Sequence, residues 1–129
     1  MIGLDTGFFV KLLKGNHQAT EIFEQLDDDT DLCVSCLTIF ELKRLSLKGA
    51  LEQDAVNKLI DNIVALAHIS WLNNVEIHDI AAGLSHGLGI PAVDSLILAG
   101  FVSNGSEIIY TTDSHMEKYV KKGVQVIKL

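Results

Sequence analysis

The chain has 129 residues, of which 48% are apolar and 21% charged, and its formal net charge is −7. This size and composition predict one ordinary globular domain with a sizeable core. They exclude nucleic-acid binding through a bulk basic face, although an acidic site neutralised by cations stays open.

In chain order, Ile2 to Leu4 is predicted to be a short apolar strand. From Thr6 the period changes to helical, with Phe9, Leu12 and Leu13 on one face and Gly15 as a stop. A second short helix is predicted over Ala19 to Leu26, closed by the solvated acidic turn Asp27-Asp28-Asp29. Leu32 to Cys36 is predicted as the second strand. On a strand, Cys33 and Cys36 point to opposite faces, so they are expected to be structural thiols rather than a redox pair.

The pattern then predicts a helix over Thr38 to Lys48 and a long amphipathic helix over Leu51 to Ala67, with Val56, Leu59, Ile60 and Ile63 on one side. A brief strand is predicted at Ser70 to Leu72, then a helix over Glu76 to His86 broken by Gly87 and Gly89. Asp94 to Val102 begins another helix. A strand at Ile108 to Tyr110, a helix from Ser114 to Lys121 and a last strand at Val124 to Ile127 complete the pattern. Strands alternating with helices predict an α/β domain built on a mostly parallel sheet. No apolar run approaches the roughly 18 residues of a membrane span, so no membrane partner is expected. The N-terminus has no signal-peptide pattern, which makes the cytoplasm the expected location.

In a parallel sheet of this kind, ligands bind beyond the carboxyl ends of the strands. Asp5, Asp94 and Asp113 lie at element junctions on that side, and Glu41 lies one turn into a helix that reaches it. Each Asp also suits a helix N-cap, and Thr38-x-x-Glu41 and Ser114-x-x-Glu117 suit capping boxes. Capping alone does not require the four acids to converge. Close carboxylates repel, and burial adds a desolvation cost. A hard divalent cation removes both penalties, and all-oxygen ligands favour Mg²⁺ or Mn²⁺. Asp5-Thr6-Gly7 is also the aspartic-protease triplet, but that triplet needs a strand–turn–strand unit, and a helix follows here.

The chain resembles a known family through Leu4-Asp5-Thr6 after an opening strand, Ser35-x-x-Thr38-x-x-Glu41-Leu42, Pro91-x-x-Asp94-x-Leu96-Ile97-x-Ala99 and Thr111-Thr112-Asp113. These segments are similar to those of PIN domains, in particular the small VapC-type toxins. The resemblance implies a three-layer fold, with a mostly parallel sheet flanked by helices. It also implies an acidic site holding one or two Mg²⁺ or Mn²⁺ ions, cleavage of RNA to products with a 5′-phosphate and a 3′-hydroxyl, a homodimer, and an antitoxin partner with a basic segment.

Asp5 and Asp94 are expected to be the main ligands, with Glu41 and Asp113 binding directly or through water. Thr6, Thr112 and Ser114 are expected to support them. Lys11, Lys43 and Arg44 are candidate contacts for RNA phosphates, and His115 is a candidate for assisting proton transfer. The competing expectation is a PIN-like module that binds a partner without catalysis.

Overall fold

The computed structural model describes the whole chain, Met1–Leu129. The strands are β1 (Ile2–Leu4), β2 (Leu32–Ser35), β3 (His68–Ser70), β4 (Ile108–Thr111) and β5 (Gln125–Lys128). The helices are α1 (Thr6–Leu13), α2 (His17–Gln25), α3 (Cys36–Leu47), α4 (Gln53–Leu66), α5 (Val75–Leu88) and α6 (Ala92–Ser103), with a short 3₁₀ helix at Ser114–Lys118. All strand pairs are parallel, and the order is β3-β2-β1-β4-β5.

Two apolar clusters cover the two faces of the sheet. Leu4, Phe8, Val34, Leu42, Val56 and Ile60 form one, beneath α1, α3 and α4. Cys33, Ile77, Ile97, Leu98, Phe101 and Ile109 form the other, beneath α5 and α6. Neighbours Cys33 and Val34 go to opposite clusters, as strand alternation requires. Gly3 lets α6 approach closely, because a Cβ there would stand 2.7 Å from the Phe101 ring.

Successive strands step from β1 to β2 and β3 on one side, then to β4 and β5 on the other. The direction of winding therefore reverses between β1 and β4, which opens a crevice at their carboxyl ends.

The local sequence misplaces several boundaries. The third strand is His68–Ser70 rather than Ser70 to Leu72, because pairing with β2 sets it: Val34 meets Ile69, and Ser35 meets Ser70. Leu72 already has φ 61° and has left extended backbone. Cys36 opens α3 instead of ending β2, because the buried Ser35 side chain caps Leu37 N–H at 3.1 Å. Cys33 is a buried thiol, pushed up to about 11 mainly by burial, so it is no redox thiolate. α5 runs through Gly87 and stops at Gly89, whose φ of 67° suits a left-handed C-cap. The expected helix from Ser114 to Lys121 is only a five-residue 3₁₀ turn. Met116 anchors that turn in the core, whereas Val120 is 90% exposed and gives a further turn nothing to pack against. The apolar side of α4 is consumed by the core through Val56, Ile60 and Ile63.

Candidate active site

The crevice is a cleft of about 360 Å³ lined by the carboxylates Asp5, Glu41, Asp94 and Asp113, together with Thr6, Lys11 and Thr112. Asp5 follows β1 directly and is 4% exposed. Its Oδ1 accepts from Phe8 N–H at 2.9 Å, which caps α1. Its Oδ2 accepts from the Thr111 hydroxyl and, at 3.3 Å, from Thr112 N–H. Burial pushes the Asp5 carboxyl above its ordinary value, and these hydrogen bonds only partly offset that.

Glu41 is held by a different route. Thr6 Oγ1 donates to Glu41 Oε1 at 2.7 Å and lies 3.0 Å from the buried Thr38 hydroxyl. The Thr38–Glu41 capping box does not form, since Ser35 is the N-cap of α3. Nor does the Ser114–Glu117 box, where Asp113 is the cap.

Asp94 is not a helix cap. Pro91 holds that position of α6 without any side-chain cap bond, and Asp94 lies in the first turn. Burial, a hydrogen bond shared with Asp113, and the charges of Asp113 and Glu41 push Asp94 up to about 7. Burial also acts upward on Asp113, but hydrogen bonds from Asp94 and from His115, together with the His115 charge, bring it below its ordinary value. Asp94 thus holds a proton more tightly than Asp113 does.

Neither of the ion pairs in the chain, His17–Glu21 and His115–Asp113, gives these acids a Lys or Arg partner. Donor atoms of Asp94, Asp113 and His115 all lie within 4.8 Å of one another. A largely carboxylate set with no Lys or Arg paired to it fits a hard divalent cation.

Thr111 is a candidate supporting side chain that the sequence reading passed over. Its fully buried hydroxyl donates to Asp5 and accepts from Asp113 N–H at 2.9 Å, linking two of the acids. The available signal was a polar residue on the inward side of β4, where a buried hydroxyl requires partners. Thr112 contributes its N–H, and its side chain fills the space above Gly7, where a Cβ would come 1.7 Å from Thr112 Oγ1.

The remaining candidates fall elsewhere. Ser114 is exposed and does not line the cleft. Arg44 lies on an adjoining groove that shares Glu41 with the cleft. Lys43 lies on a separate groove with Ser46 and Gln53.

These shifts predict a pH profile for the cation-free protein. Asp94 and Asp5 bind protons more tightly folded than unfolded, so unfolding releases them and stability falls as pH rises from about 4 to about 7. Asp113, shifted down, acts oppositely and only below about 4. Urea denaturation in EDTA at steps from pH 4 to 8 is expected to show this decline, and Asp94→Asn is expected to flatten it.

Comparison with known proteins agrees with the fold. The PIN-domain sequence profile matches residues 2–122. A search of the curated proteins finds no match. Among solved structures, a toxin–antitoxin complex from Klebsiella pneumoniae aligns with TM-score 0.76 at 16% identity, over 99% of this chain and 97% of that one. VapBC-1 from nontypeable Haemophilus influenzae aligns with TM-score 0.74 at 19% identity, over 99% and 98%. VapC20 of Mycobacterium tuberculosis, described as a sarcin–ricin-loop-cleaving toxin, aligns with TM-score 0.70 at 14% identity, over 97% and 99%. At these identities the likeness concerns the fold, which is that of VapC toxins. The profile match over nearly the full length carries the assignment: the chain belongs to the PIN-domain family.

Proposed function

We propose that this protein is a divalent-cation-dependent endoribonuclease and the toxin of a toxin–antitoxin pair. One observation carries the reading. Asp5, Glu41, Asp94 and Asp113 line one cleft at the β1–β4 crevice, and none has a Lys or Arg counter-charge. Asp5 and Asp94 are the proposed main ligands of Mg²⁺ or Mn²⁺, with Glu41 and Asp113 completing the set directly or through water. When bound, the cation supplies Lewis-acid stabilisation of phosphate charge and acidifies the attacking water.

The chain's own residues do the positioning. Thr111 and the Phe8 and Thr112 amides fix Asp5, and Thr6 fixes Glu41. A carboxylate of the cleft accepts a proton from water as water oxygen bonds to phosphorus. The P–O3′ bond then breaks, and the leaving oxygen takes up a proton. The products are a 5′-phosphate and a 3′-hydroxyl. Lys11 within the cleft and Arg44 on the adjoining groove are better placed than Lys43 to meet flanking phosphates.

The related toxin–antitoxin complexes support an antitoxin partner. The acidic cleft favours one that inserts Arg or Lys, since Arg binds carboxylate bidentately. Added Mg²⁺ should weaken such a complex. Self-association into a homodimer is supported by the exposed Phe40 and Val93, which line one groove beside Glu41. Sedimentation at micromolar concentration checks it.

Incubation with mixed single-stranded and structured RNAs tests the activity. Cleavage is expected with Mn²⁺ or Mg²⁺ and none in EDTA. Cleavage unchanged by EDTA would overturn the cation mechanism. No cleavage of any RNA would favour a PIN-like module that acts by binding alone.

A further inference from the structure

We infer that His115 supplies a nitrogen ligand at the Asp94–Asp113 end of the cleft and biases cation choice toward Mn²⁺ and Co²⁺ over Mg²⁺. The inference rests on the reading that the cleft holds a divalent cation, and it adds a donor that an all-carboxylate site lacks.

The geometry comes from the turn after β4. Asp113 caps the 3₁₀ helix by accepting from His115 N–H at 2.9 Å. The same oxygen, Oδ1, lies 2.8 Å from His115 Nδ1. The ring is therefore turned toward the carboxylate. Adjacent ligands of an octahedral ion with bonds of about 2.1 Å stand about 3 Å apart, and opposite ones about 4.2 Å. The Asp113–His115 separation matches an adjacent pair, and the full Asp94–Asp113–His115 set lies within 4.8 Å, so a small inward movement at most brings it inside the limit of about 4.2 Å. An ion bound to both atoms lies off the line that joins them, so the imidazole turns from its hydrogen-bonding pose to aim Nδ1 at it. The His115 side chain is 45% exposed, so the ring reaches this position without the desolvation cost of a buried ligand.

The donor type then sets the preference. Mg²⁺ prefers oxygen and parts with its waters reluctantly, whereas imidazole affinity rises from Mn²⁺ through Co²⁺ to Ni²⁺. One nitrogen among carboxylates tilts the site along that series. If His115 merely oriented Asp113 through its hydrogen bond, its loss would weaken every cation alike.

Calorimetric titration of Mg²⁺, Mn²⁺ and Co²⁺ into the parent, His115→Ala and Asp94→Asn separates these cases. The parent is expected to bind Co²⁺ at least about tenfold tighter than Mg²⁺, and His115→Ala to lose about tenfold for Co²⁺ with Mg²⁺ nearly unchanged. A second readout needs no variant to fold. With Co²⁺ bound, the carbon-bound ring protons of His115 should be strongly shifted in the NMR spectrum of the parent. Equal weakening of all cations, no weakening, or no shifted imidazole signal would overturn the ligand role. If Asp94→Asn abolishes cation binding while His115→Ala fails to discriminate, the acidic-cleft reading survives without His115. If the parent binds no cation, both fall.

Discussion

Replacing Asp94 by Asn is expected to abolish RNA cleavage and the Mn²⁺-dependent rise in melting temperature, while leaving the cation-free protein at least as stable as the parent. The position separates a ligand from a structural acid. Asp94 makes no cap bond in α6, so Asn forfeits only a first-turn charge–dipole attraction of about 0.3–1 kcal/mol. Against that loss, Asn removes a charge crowded by Asp113 and Glu41 and already pushed up to about 7. Asn keeps the shape and can still hydrogen-bond Asp113. A cation that binds only the folded state adds about 2.7 kcal/mol at a hundredfold excess over its Kd. The parent should show that gain, and the variant much less of it. Thermal melts with Mn²⁺ and with EDTA, run beside a cleavage assay, give both quantities. Equal Mn²⁺ shifts in parent and variant would reduce Asp94 to a helix-dipole residue and remove the centre of the mechanism.

Thr111→Val is expected to cost about 3 kcal/mol, from one hydroxyl with two partners. Valine keeps the volume and the β-branch. It deprives the Asp5 carboxylate of its Thr111 donor, and it leaves Asp113 N–H without its acceptor. Thr111 is fully buried and valine fills its volume, so water cannot take the place of the hydroxyl. For a chain of this size the melting temperature should fall by roughly 10 °C. The Thr111 hydrogen bond is the largest influence lowering the Asp5 carboxyl, so its loss raises that carboxyl further and moves cation binding to higher pH. Thr111→Ser restores the hydroxyl and should recover most of the loss and the parent's pH dependence. Val and Ser variants that melt together would mean that the hydroxyl does not hold Asp5.

The order of strands and helices and the helical character of Thr6 to Leu13 were legible in the sequence because they rest on local patterns. Alternation, the 3.6-residue period and turn residues act over a few positions, and Asp5 and Asp113 serve as the caps their neighbours predict. The positions of Asp5, Asp94 and Asp113 at element junctions followed from the same patterns, and with them the side of the sheet to search.

Contacts between distant segments decided the rest. Pairing with β2 moved the third strand back by two residues, since Ile69 rather than Leu72 meets a buried partner. The expected helix after Asp113 shrank to a short 3₁₀ segment because Met116 enters the core while Val120 meets only solvent. Asp94 changed from a cap to a crowded carboxyl because Asp113, nineteen positions on, packs against it. Thr111 reaches Asp5 across a sequence separation of 106, which no local pattern encodes. Propensity and capping are settled within a helical turn, so the sequence by itself determined the elements and the inventory of acids. Which carboxylates meet, which hydroxyl holds them and which lysine is left outside depend on parallel pairing of β1 with β4, and only the folded chain brings those strands together.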